Sequence, residues 1–129
     1  MSKVTEGYAI PSLWSDKSEA WHEVMPGVKR RVLCHASTGM VVHYKIEKGK
    51  TFPRHNHPHA QFGVILEGKA VFNFDDGTTW PVKAGDSYFF PPGIFHQFTI
   101  SQESSVEAID FFTPERGDFL EETLPPDRN

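Results

Sequence analysis

The sequence predicts an all-β domain whose short strands form a sandwich or a closed barrel. Eleven Phe residues in a chain of 129 favour strands, and ten Gly and ten Pro residues mark frequent turns. Apolar and polar residues alternate over short, evenly spaced segments, and no stretch after residue 26 carries a helical period. A chain of this length forms one ordinary domain with its own core.

The predicted elements follow one another without a linker or an internal repeat. Residues 1–25 are predicted to form a polar arm, in which a short helical turn begins at Ser15 or Asp16 and ends before Pro26-Gly27. Residues 26–120 form the barrel, and residues 121–129 form a polar tail. Within the barrel, strands are predicted at 28–35, 39–49, 61–68, 69–77, 78–82, 86–93, 94–100 and 106–112.

Alternation and turn residues support each strand in order. Residues 28–35 alternate partly, and residues 39–49 alternate well, with Val42, Tyr44 and Ile46 on one face. A hairpin is predicted at Glu67-Gly68 and a second turn at Asp76-Gly77. Two prolines stop the strand at 86–93, and the aromatic-rich segments 94–100 and 106–112 are the last two predicted strands.

Net charge, apolar runs and cysteine content exclude several classes of protein function. The formal net charge is −4, with both signs mixed along the chain, so the basic face that nucleic-acid binding needs is missing. No apolar run approaches the roughly 20 residues of a membrane span, and MSKVTEGYAIPSLW lacks the apolar core of a signal peptide. Cys34 is the single cysteine, so no internal disulfide forms. We therefore expect a cytoplasmic protein without nucleic-acid or membrane partners, with Cys34 as a small buried side chain.

Three histidines and a glutamine form a candidate metal site. His55 and His57 are two residues apart, so they point to the same face of an extended strand. Gln61 opens the next strand and can share that face, and His96 opens a strand that a barrel can bring alongside. Three imidazoles and one oxygen donor suit Fe, Mn, Ni, Co or Zn. Alternatively, Gln61 hydrogen-bonds a strand neighbour. His59 is expected outside the set of ligands, either exposed or supporting a ligand.

Two spaced motifs resemble those of the cupin family. The first is Gly49, five residues, His55-x-His57, three residues, Gln61, six residues and Gly68. The second is Gly85, five residues, Pro91-x-Gly93, two residues and His96. Two positions depart from the family pattern, because Gln61 replaces Glu and Ile100 stands where Asn is common. The resemblance implies a small double-stranded β-helix, or jelly roll, that is often a homodimer with the N-terminal arm packed on its partner.

A narrower resemblance rests on the segments MPGVKRRVL, HNHPHAQ and DFFTPERGDFL. They are similar to the KdgF group of pectin-degradation cupins, which use His, His, Gln and His as metal ligands. The group converts ring-form 4,5-unsaturated uronates, left by pectate or alginate lyases, into linear keto sugars. Its Asp-x-Phe-x-x-x-Arg pattern corresponds to Asp110, Phe112 and Arg116. The resemblance thus implies Asp110 as general acid/base, Arg116 as a clamp on the substrate carboxylate and Phe112 beside the sugar.

Each of these residues also has a plainer interpretation. Asp110 can hydrogen-bond a neighbouring strand, Phe112 can belong to the core, and Arg116 can be a surface charge beside Glu115. A neutral Gln61 leaves the formal charge of a divalent site at +2, which favours an anionic oxygen substrate. Two other functions stay open: an Fe(II)-dependent dioxygenase, and a non-catalytic cupin that binds a sugar or a metal.

Overall fold

The computed structural model describes residues 11–16 and 20–122. In this part of the chain, ten strands are followed by one 3₁₀ helix, Gly117–Glu122. The strands are β1 His22–Met25, β2 Val28–Ala36, β3 Gly39–Ile46, β4 Thr51–His55, β5 Ala60–Glu67, β6 Lys69–Phe74, β7 Thr79–Lys83, β8 Ser87–Phe90, β9 His96–Ile100 and β10 Val106–Thr113. No helix among the described residues is long and apolar enough to cross a membrane.

The strands form two antiparallel sheets. One sheet has six strands in the order β1-β2-β3-β10-β5-β8, and the other has four in the order β4-β9-β6-β7. Their inner faces share one apolar core, because alternate residues of each strand point inward. The core includes Val42, Ile65, Phe72, Phe98, Val106 and Phe112. The predicted all-β jelly-roll class is therefore confirmed.

Several local predictions differ from the structure. The hairpin predicted at Glu67-Gly68 is wrong, because β6 pairs with β7 and β9 rather than with β5. At Gly68 the chain crosses between the sheets, with a φ of 88°; a Cβ there would lie 2.1 Å from the Ser105 carbonyl oxygen. The turn at Asp76-Gly77 does join two paired strands, β6 and β7.

Other differences lie at the ends of the barrel. Residues 22–25 of the predicted arm form β1, which pairs with β2 across the Pro26-Gly27 turn. Ser15 and Asp16 are not helical, and residues 17–19 lie outside the described residues. The extended strand predicted to carry both His55 and His57 is wrong in its extent, because β4 ends at His55 and His57 lies in the connection to β5. Cys34 is partly buried rather than fully buried, and this burial raises the pKa of its thiol.

Strand pairing brings the chemically active segments together. Antiparallel pairing of β4 with β9 places His55 opposite His96. Strand β10 lies between β3 and β5, where Asp110 is opposite Gly63 and Phe112 is opposite Gln61. Residues far apart in the sequence therefore converge between the two sheets.

Candidate metal centre and active site

The structure brings three of the predicted metal ligands into one cluster. One ring nitrogen from each of His55, His57 and His96 lies within 4.8 Å of the others. The ring centroids of His55 and His96 are 4.4 Å apart, and those of His57 and His96 are 5.4 Å apart. His57 and His96 are buried and His55 is partly buried. Such a cluster can bind one ion from one side.

Backbone carbonyls orient all three imidazoles. The Nδ1 atoms of His55, His57 and His96 lie 2.8, 2.9 and 2.9 Å from carbonyl oxygens of Pro53, His59 and Ile94, respectively. A carbonyl oxygen only accepts, so each Nδ1 carries the proton and each neutral ring keeps a lone pair on Nε2.

Burial also keeps these imidazoles neutral. Loss of hydration lowers the pKa of His55 and His57, and it lowers the pKa of His96 to about 4. The positive charge of Arg116 adds to the effect at all three rings. Neutral imidazoles with Nε2 free to donate electrons are the form that binds a metal ion.

Gln61 joins the cluster through its amide oxygen. Its Oε1 lies 2.9 Å from Nε2 of His57, while its Nε2 donates to Oδ2 of Asp110 at 3.1 Å. Because Nδ1 of His57 already carries the proton, two hydrogen-bond acceptors, each with a lone pair, face each other across 2.9 Å. A cation bound to both atoms would stabilise this arrangement, so the four side chains fit a divalent transition-metal ion.

His59 supports the cluster through its backbone. Its carbonyl oxygen accepts the Nδ1 proton of His57, and its ring centroid lies 5.8 Å from that of His57. The ring of His59 lies outside the three-histidine cluster. The structure thus gives His59 a positioning role that does not depend on its imidazole.

Asp110 is buried beside Gln61 and is held at both carboxyl oxygens. The Tyr88 hydroxyl donates to Oδ1, and the Gln61 amide donates to Oδ2. Burial raises the pKa of Asp110 to about 7, although both hydrogen bonds act in the opposite direction. A carboxyl group with this pKa carries or releases a proton near neutral pH.

Gly63 makes the contact between Asp110 and Tyr88 possible. It lies on β5, opposite Asp110 on β10 and opposite Tyr88 on β8. A Cβ atom at residue 63 would lie 2.2 Å from Oδ1 of Asp110 and 2.3 Å from the Tyr88 ring. Sequence reasoning did not identify Tyr88 or Gly63; a glycine inside a strand is the signal that could have indicated a close approach.

One cavity between the sheets contains the predicted catalytic residues and several of the predicted metal ligands. His55, Gln61, His96, Asp110, Phe112 and Arg116 all line it. Phe112 is 1% exposed, and its ring meets the His57 ring edge to face at 5.4 Å. Phe112 is therefore both a core residue and part of the cavity wall.

Arg116 lies at the cavity but already holds a carboxylate. Its Nε and Nη2 atoms donate to the two carboxyl oxygens of Asp118, at 3.0 and 2.7 Å. The guanidinium carbon also lies 4.3 Å from the ring centroid of Phe119 and 5.0 Å from that of Phe112. One edge of the predicted clamp is thus occupied by a residue of the same chain.

A two-sheet jelly roll in which three clustered histidines and one amide could hold a metal ion defines a barrel of the cupin type. The chain belongs to the cupin family, because its residues 42–112 match the Cupin domain. It is also similar to the pectin degradation protein KdgF of Dickeya dadantii (strain 3937), with 30% identity over 81% of this chain and 94% of that protein. The resemblance to the cupins and to the KdgF group is confirmed.

Two solved structures share this architecture closely. KdgF from Halomonas sp. superposes with a TM-score of 0.76 at 27% identity, over 86% of this chain and 100% of the other. An RmlC-like cupin from Shewanella frigidimarina gives a TM-score of 0.76 at 29% identity, over 86% and 97% of the two chains.

Acireductone dioxygenases are similar over a shorter segment. The Saccharomyces cerevisiae protein is 27% identical over 64% of this chain, and the chain spans 50% of that enzyme's length. The match therefore covers only half of that enzyme's length.

Proposed function

We propose that this chain is a metal-dependent cupin enzyme of pectin or alginate breakdown. It converts ring-form 4,5-unsaturated monouronates, released by lyases, to linear keto sugars. The observation that carries this proposal is the link from Asp110 through the Gln61 amide to the histidine cluster, inside one cavity. Similarity to KdgF supports the substrate class.

The metal ligands are His55, His57, Gln61 and His96, and the ion is a divalent Ni, Zn, Fe, Mn or Co. When bound, such an ion supplies Lewis-acid stabilisation of a developing oxyanion. The backbone carbonyls that accept from each Nδ1 fix the ring orientations before binding. The neutral Gln61 amide leaves more positive charge at the site than a carboxylate would, which favours an acidic substrate.

Asp110 is the general acid/base and moves a proton at its carboxyl oxygens. Tyr88 and Gln61 hold both oxygens, so the carboxyl group cannot rotate away from the cavity. Phe112 forms an apolar wall beside the sugar, and Arg116 contributes positive charge at the cavity. An unsaturated uronate is both an enol ether and a hemiacetal, so ring opening needs proton transfer and no change of redox state.

The test is the absorbance of the 4,5-double bond in lyase-generated monouronates. Metal-loaded protein should remove this absorbance faster than the spontaneous reaction, and protein stripped with a chelator should not. Asp110→Asn should lower kcat by about 10²- to 10⁴-fold, because proton transfer is lost. It should largely spare binding of the saturated galacturonate. The proposal fails if loaded wild-type protein gives no acceleration.

An Fe(II)-dependent dioxygenase is the second candidate, supported by the acireductone dioxygenase matches. Oxygen consumption with Fe(II) and a dicarbonyl or phenolic substrate would favour it. Equal turnover of uronates with Zn or Ni under nitrogen would count against it. Recovery of unchanged uronate after long incubation would instead favour a non-catalytic binding cupin.

We also infer that the chain forms a homodimer. Phe62, Phe89 and Phe111 lie on adjacent strands of the six-stranded sheet and are 47%, 47% and 39% exposed. Their rings contact one another, with centroids 4.8 Å apart for Phe62 and Phe89. This set, which we call the aromatic face, is typical of a surface that a partner covers. A cytoplasmic location is part of the same proposal and is supported by the unpaired Cys34.

A further inference from the structure

Tyr88 places a buried hydroxyl group at the wall of the cavity that contains Asp110. It is 8% exposed and lies on β8, where it and Phe90 are the inward residues. Its ring centroid lies 4.8 Å from that of Phe72, on the opposite sheet, and 5.3 Å from that of Phe90. These contacts hold the ring in place, so only the hydroxyl hydrogen is free to change direction.

The two oxygens of Asp110 receive hydrogen bonds from donors of different kinds. The Tyr88 hydroxyl donates to Oδ1, and the Gln61 amide donates to Oδ2 at 3.1 Å. A hydroxyl is both donor and acceptor, so it can pass its own proton on while it takes another. The nitrogen of an amide is a donor only and cannot do this. Of the two contacts, only the one with Tyr88 is a route for a proton.

The Tyr88 oxygen is also more available to a ligand than Oδ1 of Asp110. Asp110 is 6% exposed, and Gly63 lies so close to it that a Cβ atom there would be 2.2 Å from Oδ1. Within the described part of the chain, the only hydrogen-bond partner of the Tyr88 hydroxyl is Asp110, to which it donates. The lone pairs of the Tyr88 oxygen therefore remain for a hydroxyl group of a ligand in the cavity.

We propose that the Tyr88 hydroxyl is the catalytic group that exchanges a proton with the substrate, and that Asp110 holds this proton behind it. The inference rests on the proposed function for the reaction, which opens the ring of an unsaturated uronate. The proton of the anomeric hydroxyl moves to the Tyr88 oxygen as the proton of Tyr88 moves to Oδ1 of Asp110. Burial raises the pKa of Tyr88 well above its ordinary value, so Tyr88 passes the proton on without becoming a phenolate.

The proton movements complete ring opening without another reactant. Loss of the anomeric proton forms the carbonyl at the anomeric carbon and breaks the bond from this carbon to the ring oxygen, which keeps the electron pair. The proton held by Asp110 then returns through Tyr88 to the ring oxygen, which is released as an enol. The enol becomes the linear keto sugar when its hydroxyl loses a proton and the neighbouring carbon of the double bond gains one. The product is an isomer of the substrate, and nothing is oxidised or reduced.

Kinetics on Tyr88→Phe test the proposal, because this substitution removes the hydroxyl and keeps the ring between Phe72 and Phe90. The kcat for the unsaturated uronate should fall by about 10²- to 10⁴-fold, the usual contribution of general acid/base catalysis, with little change in KM or metal content. Adding Asp110→Asn should slow the variant little further, because both residues act on one proton path. Ser87→Ala removes an exposed hydroxyl from the same strand and should leave kcat unchanged.

The solvent isotope effect separates a relay from a hydroxyl that only holds Asp110. It is measured in single turnovers of wild type in mixtures of light and heavy water. A relay moves two exchangeable protons in one step, so the rate should depend on the deuterium fraction along a curve. Direct transfer to Asp110 moves one proton and gives a straight line. A straight line, or no isotope effect, overturns the inference even where Tyr88→Phe is slow.

The outcomes also separate the inference from the proposed function. If loaded wild type turns over uronates and Tyr88→Phe keeps its kcat, the inference is overturned while the proposed function stands. If loaded wild type gives no acceleration over the spontaneous reaction, the proposed function fails and the inference fails with it. If Tyr88→Phe does not fold, the isotope dependence of wild type decides: a curve supports the relay and a straight line overturns it.

Discussion

Replacing Gly63 by Ala tests the geometry that holds Asp110. The added methyl group would lie 2.2 Å from Oδ1 of Asp110 and 2.3 Å from the Tyr88 ring, well inside van der Waals contact. Gly63 is on β5, whose neighbours in the sheet are β10 and β8, so its backbone cannot move without disturbing both pairings. We expect the methyl group to force Asp110 and Tyr88 apart and to break their hydrogen bond.

The size of the effect follows from three contributions. Overpacking a core position costs about 1–3 kcal/mol. Losing a hydrogen bond to a group that can be charged costs about 1.5–3 kcal/mol. Alanine lowers the conformational entropy of the unfolded chain relative to glycine, which stabilises the protein by roughly 0.4–1 kcal/mol. The free energy of unfolding should therefore fall by about 2–5 kcal/mol, and turnover should fall with it because Asp110 is displaced.

Urea unfolding of the metal-free protein, followed by tryptophan fluorescence, measures this change. Gly117→Ala is the matched control, because a Cβ there meets nothing within 4 Å, and its stability should stay within about 0.5 kcal/mol of wild type. A Gly63→Ala protein with wild-type stability and wild-type turnover would refute the reasoning. Loss of turnover with full stability would still support the displacement of Asp110.

Three further predictions concern the metal site, pH and assembly. Gln61→Glu should bind the metal more tightly in a chelator competition, because it lowers the formal charge of the site. It should also turn over uronates at least about tenfold more slowly, because Asp110 loses its amide donor; unchanged affinity and rate would contradict this. Between pH 7 and pH 5, metal-free wild type should lose about 2 kcal/mol more unfolding free energy in urea than metal-free His96→Gln, because the pKa of His96 falls from 6.5 to about 4 on folding and the unfolded chain takes up the proton first. Comparing the two proteins cancels the opposite contribution of Asp110, whose pKa is raised to about 7 on folding; identical pH profiles of the two proteins would argue against it. Phe62→Asp on the aromatic face should convert the proposed dimer to a monomer in light scattering, whereas Leu120→Ser, which changes an exposed apolar residue of the 3₁₀ helix, should not.

The fold class was predictable because strand alternation has a period of two residues and leaves a strong local pattern. The pattern in Gly39–Ile46 is of this kind, and the structure shows β3 there. Which strands pair with one another was less predictable. Glu67-Gly68 has the residues of a tight turn, yet the chain changes sheets there, because a turn signal does not specify which strands will pair.

The candidate metal site could be located from local spacing, since His55 and His57 occur in one short segment and His96 in a second motif. Tyr88 and Gly63 could not be found in this way. They meet only because β5 lies between β8 and β10.

The position of β10 has a consequence for biosynthesis. This strand is the last of the described strands along the chain, yet it lies in the interior of the six-stranded sheet, hydrogen-bonded to β3 and β5. A nascent chain that has not yet released residues 106–113 lacks both Asp110 and the template that aligns Gln61 with it. The six-stranded sheet is therefore completed late in folding, because β10 must pair with strands that are far from it in the sequence. The complete site therefore forms only after residues 106–113 have left the ribosome.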